Sequence, residues 1–233
     1  MPKKPNTLAF TLIELLVVIA IIGVLAALGV GQVNRAIESA HTSKCSSNLK
    51  QLTTAIFAYA ADNNGRMPGP VFRGIRDPSV ATVSYLSYSN WLSSYLGSSK
   101  TVWRCPANDA AFSANAGKLV YLLNNQTTTD PKKFFGEAST PKEAPQSLIT
   151  IRSAGQNKYA GTTARTDIWL VSDIDGENYG SAQNSGTYSL LPTKVPPPHN
   201  GGRNYSFLDG HAEFRTKPTN ANNLQPGEWP PNP

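Results

Sequence analysis

The sequence is poor in cysteine, in histidine and in charge. It has 2 cysteines and 3 histidines among 233 residues, which excludes a disulfide-dense scaffold and a four-cysteine zinc or iron–sulfur site. Charged residues make up 15% of the chain, below the roughly 25% of an ordinary soluble domain. The net charge of +6 is spread out, with no basic block beyond Lys3-Lys4. We therefore expect no nucleic-acid partner, and the 39% of hydrophobic residues predicts a folded core rather than wholesale disorder.

The scarcity of charge is concentrated in residues 10–30, where 21 residues carry one charge, Glu14. A helix of that length spans about 31 Å, close to the hydrocarbon thickness of a bilayer. Lys3 and Lys4 precede the segment, and the next positive charge is Arg35. That bias keeps the N-terminus in the cytoplasm. We therefore expect a single pass through the inner membrane over residues 10–30, with the bulk of the chain extracytoplasmic.

Other interpretations of this segment remain open. The run exceeds the roughly 7–15 apolar residues of a secretory signal peptide, and no clear small-x-small cleavage site precedes polar sequence. A buried core helix is disfavoured by the length of the run. A plain membrane anchor does not explain Glu14, since a carboxylate at depth costs roughly 2.5–3.5 kcal/mol. An intramembrane acidic residue is therefore treated as a functional hypothesis.

Residues 9–15, with the sequence AFTLIEL, resemble the N-terminal signal of type IV pilins and type II secretion pseudopilins. The resemblance implies that a prepilin peptidase cuts between Ala9 and Phe10 and then methylates the amino terminus of Phe10. Ala9 departs from the glycine that usually precedes the cut. The resemblance also implies that Glu14 pairs with the amino terminus of a neighbouring subunit, since pairing neutralises two charges that are costly alone in hydrocarbon. The implied partners are the peptidase, other pilin or pseudopilin subunits and inner-membrane lipid.

The helix is predicted to continue beyond the membrane, from about Phe10 to about Ala61. No proline interrupts it before Pro68, and an Asp-Asn-Asn-Gly stop occupies residues 62–65. The pilin resemblance implies the same long helix, whose second half, residues 31–62, packs against the globular domain. The predicted apolar stripe, at spacings of three and four residues or their sums, is Val30, Val33, Ile37, Ala40, Leu49, Leu52, Ile56 and Tyr59.

Residues 1–9 are the expected leader, residues 63–216 an extracytoplasmic globular domain and residues 217–233 a Pro- and Asn-rich tail. We expect an α+β, pilin-like fold, with the long helix packed on a small antiparallel sheet. The sequence predicts a short helix over 90–97, an extended piece over 102–106 and strands over 119–123 and 167–171. Residues 147–152 fit a helix or a strand. Asp209-Gly210, between two strand-like runs, predicts a hairpin with a type I′ turn.

Cys45 and Cys105 both follow the predicted span, on the exported side. Thiols in an oxidising compartment pair readily, so we expect a disulfide that joins the long helix to the loop before Pro106. It closes 59 intervening residues, which by loop entropy contributes about 4 kcal/mol, less any strain. The alternative is two unrelated buried thiols.

Asp173 and Asp175 belong to an oxygen-rich stretch around a glycine, DIDGEN over residues 173–178. Calcium takes six to eight oxygen ligands, and the resemblance to secretion pseudopilins implies calcium in the C-terminal part. The stretch is not a full EF-hand loop, and an acidic turn after a strand is the simpler interpretation. Apart from calcium we expect no cofactor.

His199, followed after nine residues by Asp209-Gly210, resembles a C-terminal motif in pilin-like proteins of planctomycetes and their relatives. His199 with Asp209 or His211 offers a second candidate metal site. The alternative is a hydrogen bond from His199 that locks the loop entering the hairpin. Further pieces that match this subfamily are residues 44–45, 48–52, 59–62, 65–68 and 103–106.

The sequence contains no glycine-flanked nucleophile elbow, no His-Glu-x-x-His motif and no phosphate-binding loop. We therefore expect a structural subunit of a secretion pseudopilus or a type IV pilus-like filament rather than an enzyme. The alternative of another class is an anchored extracytoplasmic binding protein that uses the same signal and never polymerises. An anchored hydrolase is a third hypothesis, and it needs a converging polar pocket.

Overall fold

A computed structural model describes residues 11–71, 74–76, 88–97, 101–108, 119–124, 134–136, 143–154, 168–174, 198–199 and 201–216. The architecture is a long N-terminal helix followed by short strands and helices, an α+β arrangement that matches the predicted pilin-like fold. The helices are α1 (Leu12–Asp62), α2 (Tyr88–Leu96) and α3 (Leu148–Ala154), and the strands are β1 (Gly74–Arg76), β2 (Leu119–Leu123), β3 (Trp169–Asp173), β4 (Gly202–Phe207) and β5 (Ala212–Thr216).

Helix α1 contains 51 residues and is about 77 Å long at about 1.5 Å per residue. It ends where the sequence predicts, because Asn64 and Gly65 adopt positive φ angles of 55° and 75°. The Gly65 amide donates to the carbonyl of Ala60 at 2.7 Å, which satisfies one of the free carbonyls of the last turn. The described residues contain no helical stretch that combines the length and the apolar character needed to cross a membrane.

The chain divides into two compact units, Met1–Ala40 and His41–Pro233. In the first unit the large apolar side chains that the structure describes on α1 are exposed, with Leu12 at 81%. Val33 and Ile37, which we placed in the buried stripe, are 56% and 48% exposed. That part of the prediction is wrong, because periodicity identifies an apolar face but not whether this chain covers it.

In the second unit α1 supplies one wall of the core. The residues Cys45, Leu49, Leu52 and Ile56 are fully buried, at the three- and four-residue spacing that places side chains on one helix face. Each Leu or Ile so buried contributes roughly 1.5–3 kcal/mol of transfer free energy. This stripe packs in one cluster with residues of the sheet, among them Tyr121, Leu123, Leu170 and Val171.

In the described residues, five strands form one antiparallel sheet in the order β1-β2-β3-β4-β5. Every residue of β3 and of β4 is buried, which fits central strands covered on both faces. Strand β5 lies at an edge, and its residues are mostly exposed. Strand β2 has the predicted bounds, whereas β3 begins and ends two residues later than predicted.

The predicted hairpin is present, with Ser206 opposite Ala212 and Tyr205 opposite Glu213. Its turn is not type I′, because only Gly210 has a positive φ, 95°. The Gly210 amide donates to the Phe207 carbonyl at 2.9 Å, and the Phe207 amide donates to the His211 carbonyl at 2.9 Å. This is the pattern of a three-residue loop in which glycine alone takes the left-handed conformation.

Two further predictions over short segments are settled. The extended piece over 102–106 is wrong, because 3₁₀ turns occupy Thr101–Trp103 and Pro106–Asn108. The first turn buries Val102 and Trp103, so tertiary packing overrides the β propensity of the two residues. The segment over 147–152 is a helix, and the Ser147 hydroxyl accepts from the Thr150 amide at 3.1 Å, as an N-cap does.

Candidate functional site

The first candidate site is the start of α1, where Thr11 and Glu14 form a capping box. The Thr11 amide and the Thr11 hydroxyl both donate to Glu14 Oε2 at 2.8 Å. The Glu14 amide donates in return to Thr11 Oγ1 at 3.4 Å. The carboxylate therefore caps its own helix and is held at the N-terminal end, where a negative charge is favourable.

This capping box gives Glu14 a structural role that the sequence analysis missed. The available signal was the spacing Thr-x-x-Glu ahead of an apolar run, which identifies a capping box. Ala9 and Phe10, the predicted cleavage and methylation residues, lie outside the described residues. The pairing of Glu14 with a neighbouring amino terminus therefore stays a prediction.

The second candidate site is a buried cluster in the second unit. Cys45 of α1 and Cys105 between the two 3₁₀ turns are joined by a disulfide, the pairing expected from the sequence. Both residues are buried, and His199 and Asp173 lie against them with 1% and 0% exposure. The sulfur, nitrogen and oxygen atoms that these four side chains present all lie within 4.8 Å of one another.

His199 is held on both ring nitrogens. Its Nδ1 lies 3.1 Å from the hydroxyl of Thr42 on α1, and its Nε2 lies 3.1 Å from Asp173 Oδ2 and 3.4 Å from Cys105 Sγ. His199 also exchanges backbone hydrogen bonds with Gly202 at 2.8 and 3.3 Å. The ring thus joins the helix, β3 and the loop before the hairpin, which is the locking role proposed for it.

Asp173, the last residue of β3, is held by Asn204 of β4. The Asn204 amide and its side-chain Nδ2 donate to Asp173 Oδ2 at 2.8 and 2.9 Å. A buried carboxylate is stable only when it is paired and hydrogen-bonded. Asn204 and His199 together meet that requirement at Oδ2, and the carboxylate lies beside the disulfide.

Asn48 and Tyr121 support the loop that carries Cys105. Asn48 Nδ2 donates to the Arg104 carbonyl at 2.8 Å and also approaches the Thr101 carbonyl and the Tyr121 hydroxyl. Tyr121 lies opposite Asp173 in the β2–β3 register. Burial, with the negative charge of Asp173 as a second cause, raises the pKa of the Tyr121 phenol well above its ordinary value. The phenol therefore stays neutral.

The structure does not join His199 and Asp209 in one site. Asp209 lies at the exposed hairpin turn, where its Oδ1 accepts from the His211 amide at 3.1 Å and contacts His211 Nδ1. Gly210 supplies the positive φ of that turn. In the described part of the chain the two ends of the motif therefore hold separate elements, and the predicted grouping of His199 with Asp209 or His211 as metal ligands is wrong.

The predicted calcium ligands are divided by the structure. Asp173 faces His199, Asn204 and the disulfide, whereas Asp175 lies outside the described residues, so the calcium hypothesis stays a prediction. Sequence reasoning missed Thr42 and Asn204 as partners of the cluster. No local pattern marks either one, because their roles depend on contacts between residues 157 positions apart and 31 positions apart.

The comparisons with known proteins bear on the N-terminus alone. A family model described as the prokaryotic N-terminal methylation motif matches residues 4–30. No curated protein matches the chain, and no solved structure matches it. The matched segment contains Ala9, Phe10 and Glu14, so the chain carries a prepilin-type N-terminal signal, consistent with a membrane-anchored, pilin-like protein.

Proposed function

We propose that this chain is a non-enzymatic, pilin-like subunit of a type II secretion pseudopilus or a type IV pilus-like filament. A prepilin peptidase cuts between Ala9 and Phe10 and methylates Phe10. Residues 10–30 hold the subunit in the inner membrane, with the N-terminus in the cytoplasm and the globular domain outside. The observation that carries the proposal is the methylation motif over residues 4–30 together with the exposed apolar side chains of the helix that begins within it.

The exposed helix supports assembly because its surface is apolar on every side. From Leu12 to Leu25 the exposure of the large apolar side chains ranges from 46% to 81%. Soluble monomers rarely expose contiguous apolar patches larger than a few hundred Å². Such a surface gains free energy by moving into lipid or against the helices of other subunits.

Glu14 supports the choice of other helices as partners. A carboxylate is costly in hydrocarbon, and a positive amino terminus beside it removes most of that cost. The capping box leaves this option open, since a carboxylate has about four acceptor positions and Thr11 donates to only one of the two oxygens. Glu14 can therefore cap its own helix and pair with a neighbour at once.

The substitution Glu14→Gln separates the two roles. Glutamine serves as well as glutamate at the third position of a capping box, but it carries no charge to pair with an amino terminus. We expect Glu14→Gln to be cleaved and inserted normally and to be absent from filaments. The measurement is the amount of the chain in sheared filaments and in membranes, in cells that hold the processing enzyme and the assembly machinery.

The matched control is Glu38→Gln, which removes a carboxylate from the same helix outside the predicted span. It should leave filament incorporation unchanged. If Glu14→Gln assembles normally, Glu14 acts only as a helix cap, and the proposal that its charge pairs with a neighbouring amino terminus is wrong. If the wild-type chain is also cleaved but stays monomeric in the membrane, the anchored binding protein is the better description. Mass spectrometry of the mature N-terminus tests the first step, for which a methylated Phe10 is expected.

A further inference from the structure

The buried cluster of Cys45, Cys105, Asp173 and His199 has the donor set of a metal site. Its four ligand atoms lie within 4.8 Å of one another, and all four residues are buried. Two sulfurs, one imidazole nitrogen and one carboxylate oxygen are the ligands that Zn²⁺ takes in four-coordinate protein sites. In the structure the two sulfurs are bonded to each other, and a disulfide sulfur is not a thiolate ligand.

We propose that reduction of the Cys45–Cys105 disulfide converts this cluster into a tetrahedral Zn²⁺ site with two thiolates, His199 Nε2 and the Asp173 carboxylate as ligands. The same four side chains then cross-link the helix, the Cys105 loop, β3 and the loop before the hairpin in either redox state. The oxidised chain uses a covalent bond, and the reduced chain uses the metal.

The surroundings of the cluster already orient the two ligands that are not cysteines. Zinc-bound histidines almost always donate their other ring N–H to a neighbouring acceptor, and Thr42 Oγ1 stands 3.1 Å from His199 Nδ1 to accept it. Metal-bound carboxylates are likewise held by hydrogen bonds, which Asn204 supplies at 2.8 and 2.9 Å. His199 Nε2, by contrast, points at Asp173 and at Cys105 Sγ, where the metal would lie.

The chemistry selects zinc over the harder cations. Calcium and magnesium take oxygen ligands, whereas sulfur and imidazole favour zinc. Four protein ligands fill a tetrahedral shell and leave no open position for a substrate, so the site is structural rather than catalytic. Two thiolates and one carboxylate outweigh the charge of Zn²⁺ by one, and the hydrogen bonds from Asn204 spread part of that negative charge.

The conversion balances in two steps. A dithiol gives two electrons and two protons to the disulfide, which becomes two thiols while the dithiol becomes a disulfide. Zn²⁺ then displaces one proton from each thiol, and neutral His199 binds the metal through Nε2 with its ring proton on Nδ1. At least two protons are therefore released for each zinc bound, and the affinity rises with pH.

The test uses the full-length chain in detergent micelles, reduced with a phosphine and freed of metal with a chelator. Titration with Co²⁺ should give one equivalent of tetrahedral, thiolate-bound cobalt, seen as visible d–d bands with a sulfur-to-metal charge-transfer band, and Zn²⁺ should displace it. The oxidised chain should give neither signal. X-ray absorption at the zinc edge should fit two sulfurs and two lighter ligands.

The variants His199→Ala and Asp173→Asn should each weaken zinc binding by at least about tenfold, since supporting groups alone are worth about 10–100-fold. The matched controls are His211→Ala and Asp209→Asn, which remove the exposed His–Asp pair of the hairpin and should leave the affinity unchanged. If a buried-site variant fails to fold, the zinc-edge spectrum of the reduced wild-type chain decides alone.

Three outcomes would overturn the proposal: no saturable binding by the reduced chain, equal affinity in wild type and His199→Ala, or a zinc shell with sulfur as its only protein ligand. Equal affinity would mean that two free thiolates bind the metal without the fold. None of these outcomes bears on filament assembly, because the cluster lies in the second unit and involves neither Phe10 nor Glu14.

Discussion

The two halves of helix α1 have similar apolar residues and opposite surroundings. Leu12 and Leu16 in the first half are 81% and 55% exposed, whereas Leu49 and Leu52 in the second half are fully buried. In the second half the sheet covers one face of the helix, and the opposite face is polar. In the first half apolar residues occur all around the helix. Helical periodicity therefore predicts that a chain forms a helix, but burial depends on what covers it.

This difference assigns separate tasks to the halves. The buried half contributes to the stability of the globular unit. The exposed half forgoes roughly 1.5–3 kcal/mol of burial for each large apolar side chain, and in the function proposed above it would recover that free energy from lipid or from other subunits. Substitutions in the buried half should consequently lower the free energy of unfolding of the globular unit, whereas substitutions in the exposed half should leave it nearly unchanged.

The largest effect on stability is expected from removal of the disulfide. The double variant Cys45→Ala with Cys105→Ala should lower the free energy of unfolding of the globular unit by about 4 kcal/mol, because the unfolded chain regains the freedom of a 60-residue loop. Urea titration followed by tryptophan fluorescence measures it, with Ser47→Ala on the same helix as control. A loss below about 1 kcal/mol would mean that packing without the disulfide is enough to hold the helix against the loop at position 105.

A matched pair of leucines tests the comparison directly. Leu52→Ala should destabilise the globular unit by about 2–5 kcal/mol, the usual cost of a buried Leu→Ala change. Leu16→Ala should change it by less than about 0.5 kcal/mol, as surface substitutions do. Both values come from urea titration of the full chain in detergent. A comparable loss in Leu16→Ala would show that the first half also contributes to the folding of the globular unit.

A smaller effect is expected at Asn48, which lies on the polar edge of the buried stripe. Asn48→Ala removes, from a fully buried position, the donor to the Arg104 and Thr101 carbonyls and should lower the free energy of unfolding by roughly 0.5–1.5 kcal/mol, the net contribution of a typical hydrogen bond. Gln51→Ala is the control, because Gln51 is exposed and, among the described residues, its side chain bonds only to Ser47 within the helix. Similar losses in the two variants would refute a special role for Asn48.

The features that the sequence predicts correctly are those that depend on local patterns. The end of α1 follows from Asn64 and Gly65, and the hairpin follows from Gly210 between two strand-like runs. The disulfide needed only a count of cysteines and an argument about the compartment. In each case a few neighbouring residues, or a pair without competitors, carry the information.

The features that the sequence does not predict depend on contacts between distant segments. Strand β1 has three residues, too few for a pattern, and it exists because β2 pairs with it. Val102 and Trp103 have β-forming side chains but bury them from a 3₁₀ turn. His199 contacts Asp173 and Thr42, which lie on two other elements far away in the sequence. The sequence motif that singled out His199 gave no sign of these partners and paired it with Asp209 instead.

Gly202 links the rim of the sheet to its interior. A methyl group on its α-carbon would collide with the ring of Phe214 on the neighbouring strand, because that ring packs directly over the glycine. The same glycine exchanges two backbone hydrogen bonds with His199. Any larger residue at position 202 should therefore displace the Phe214 ring and, through the backbone hydrogen bonds of Gly202, disturb the position of His199 beside Cys105.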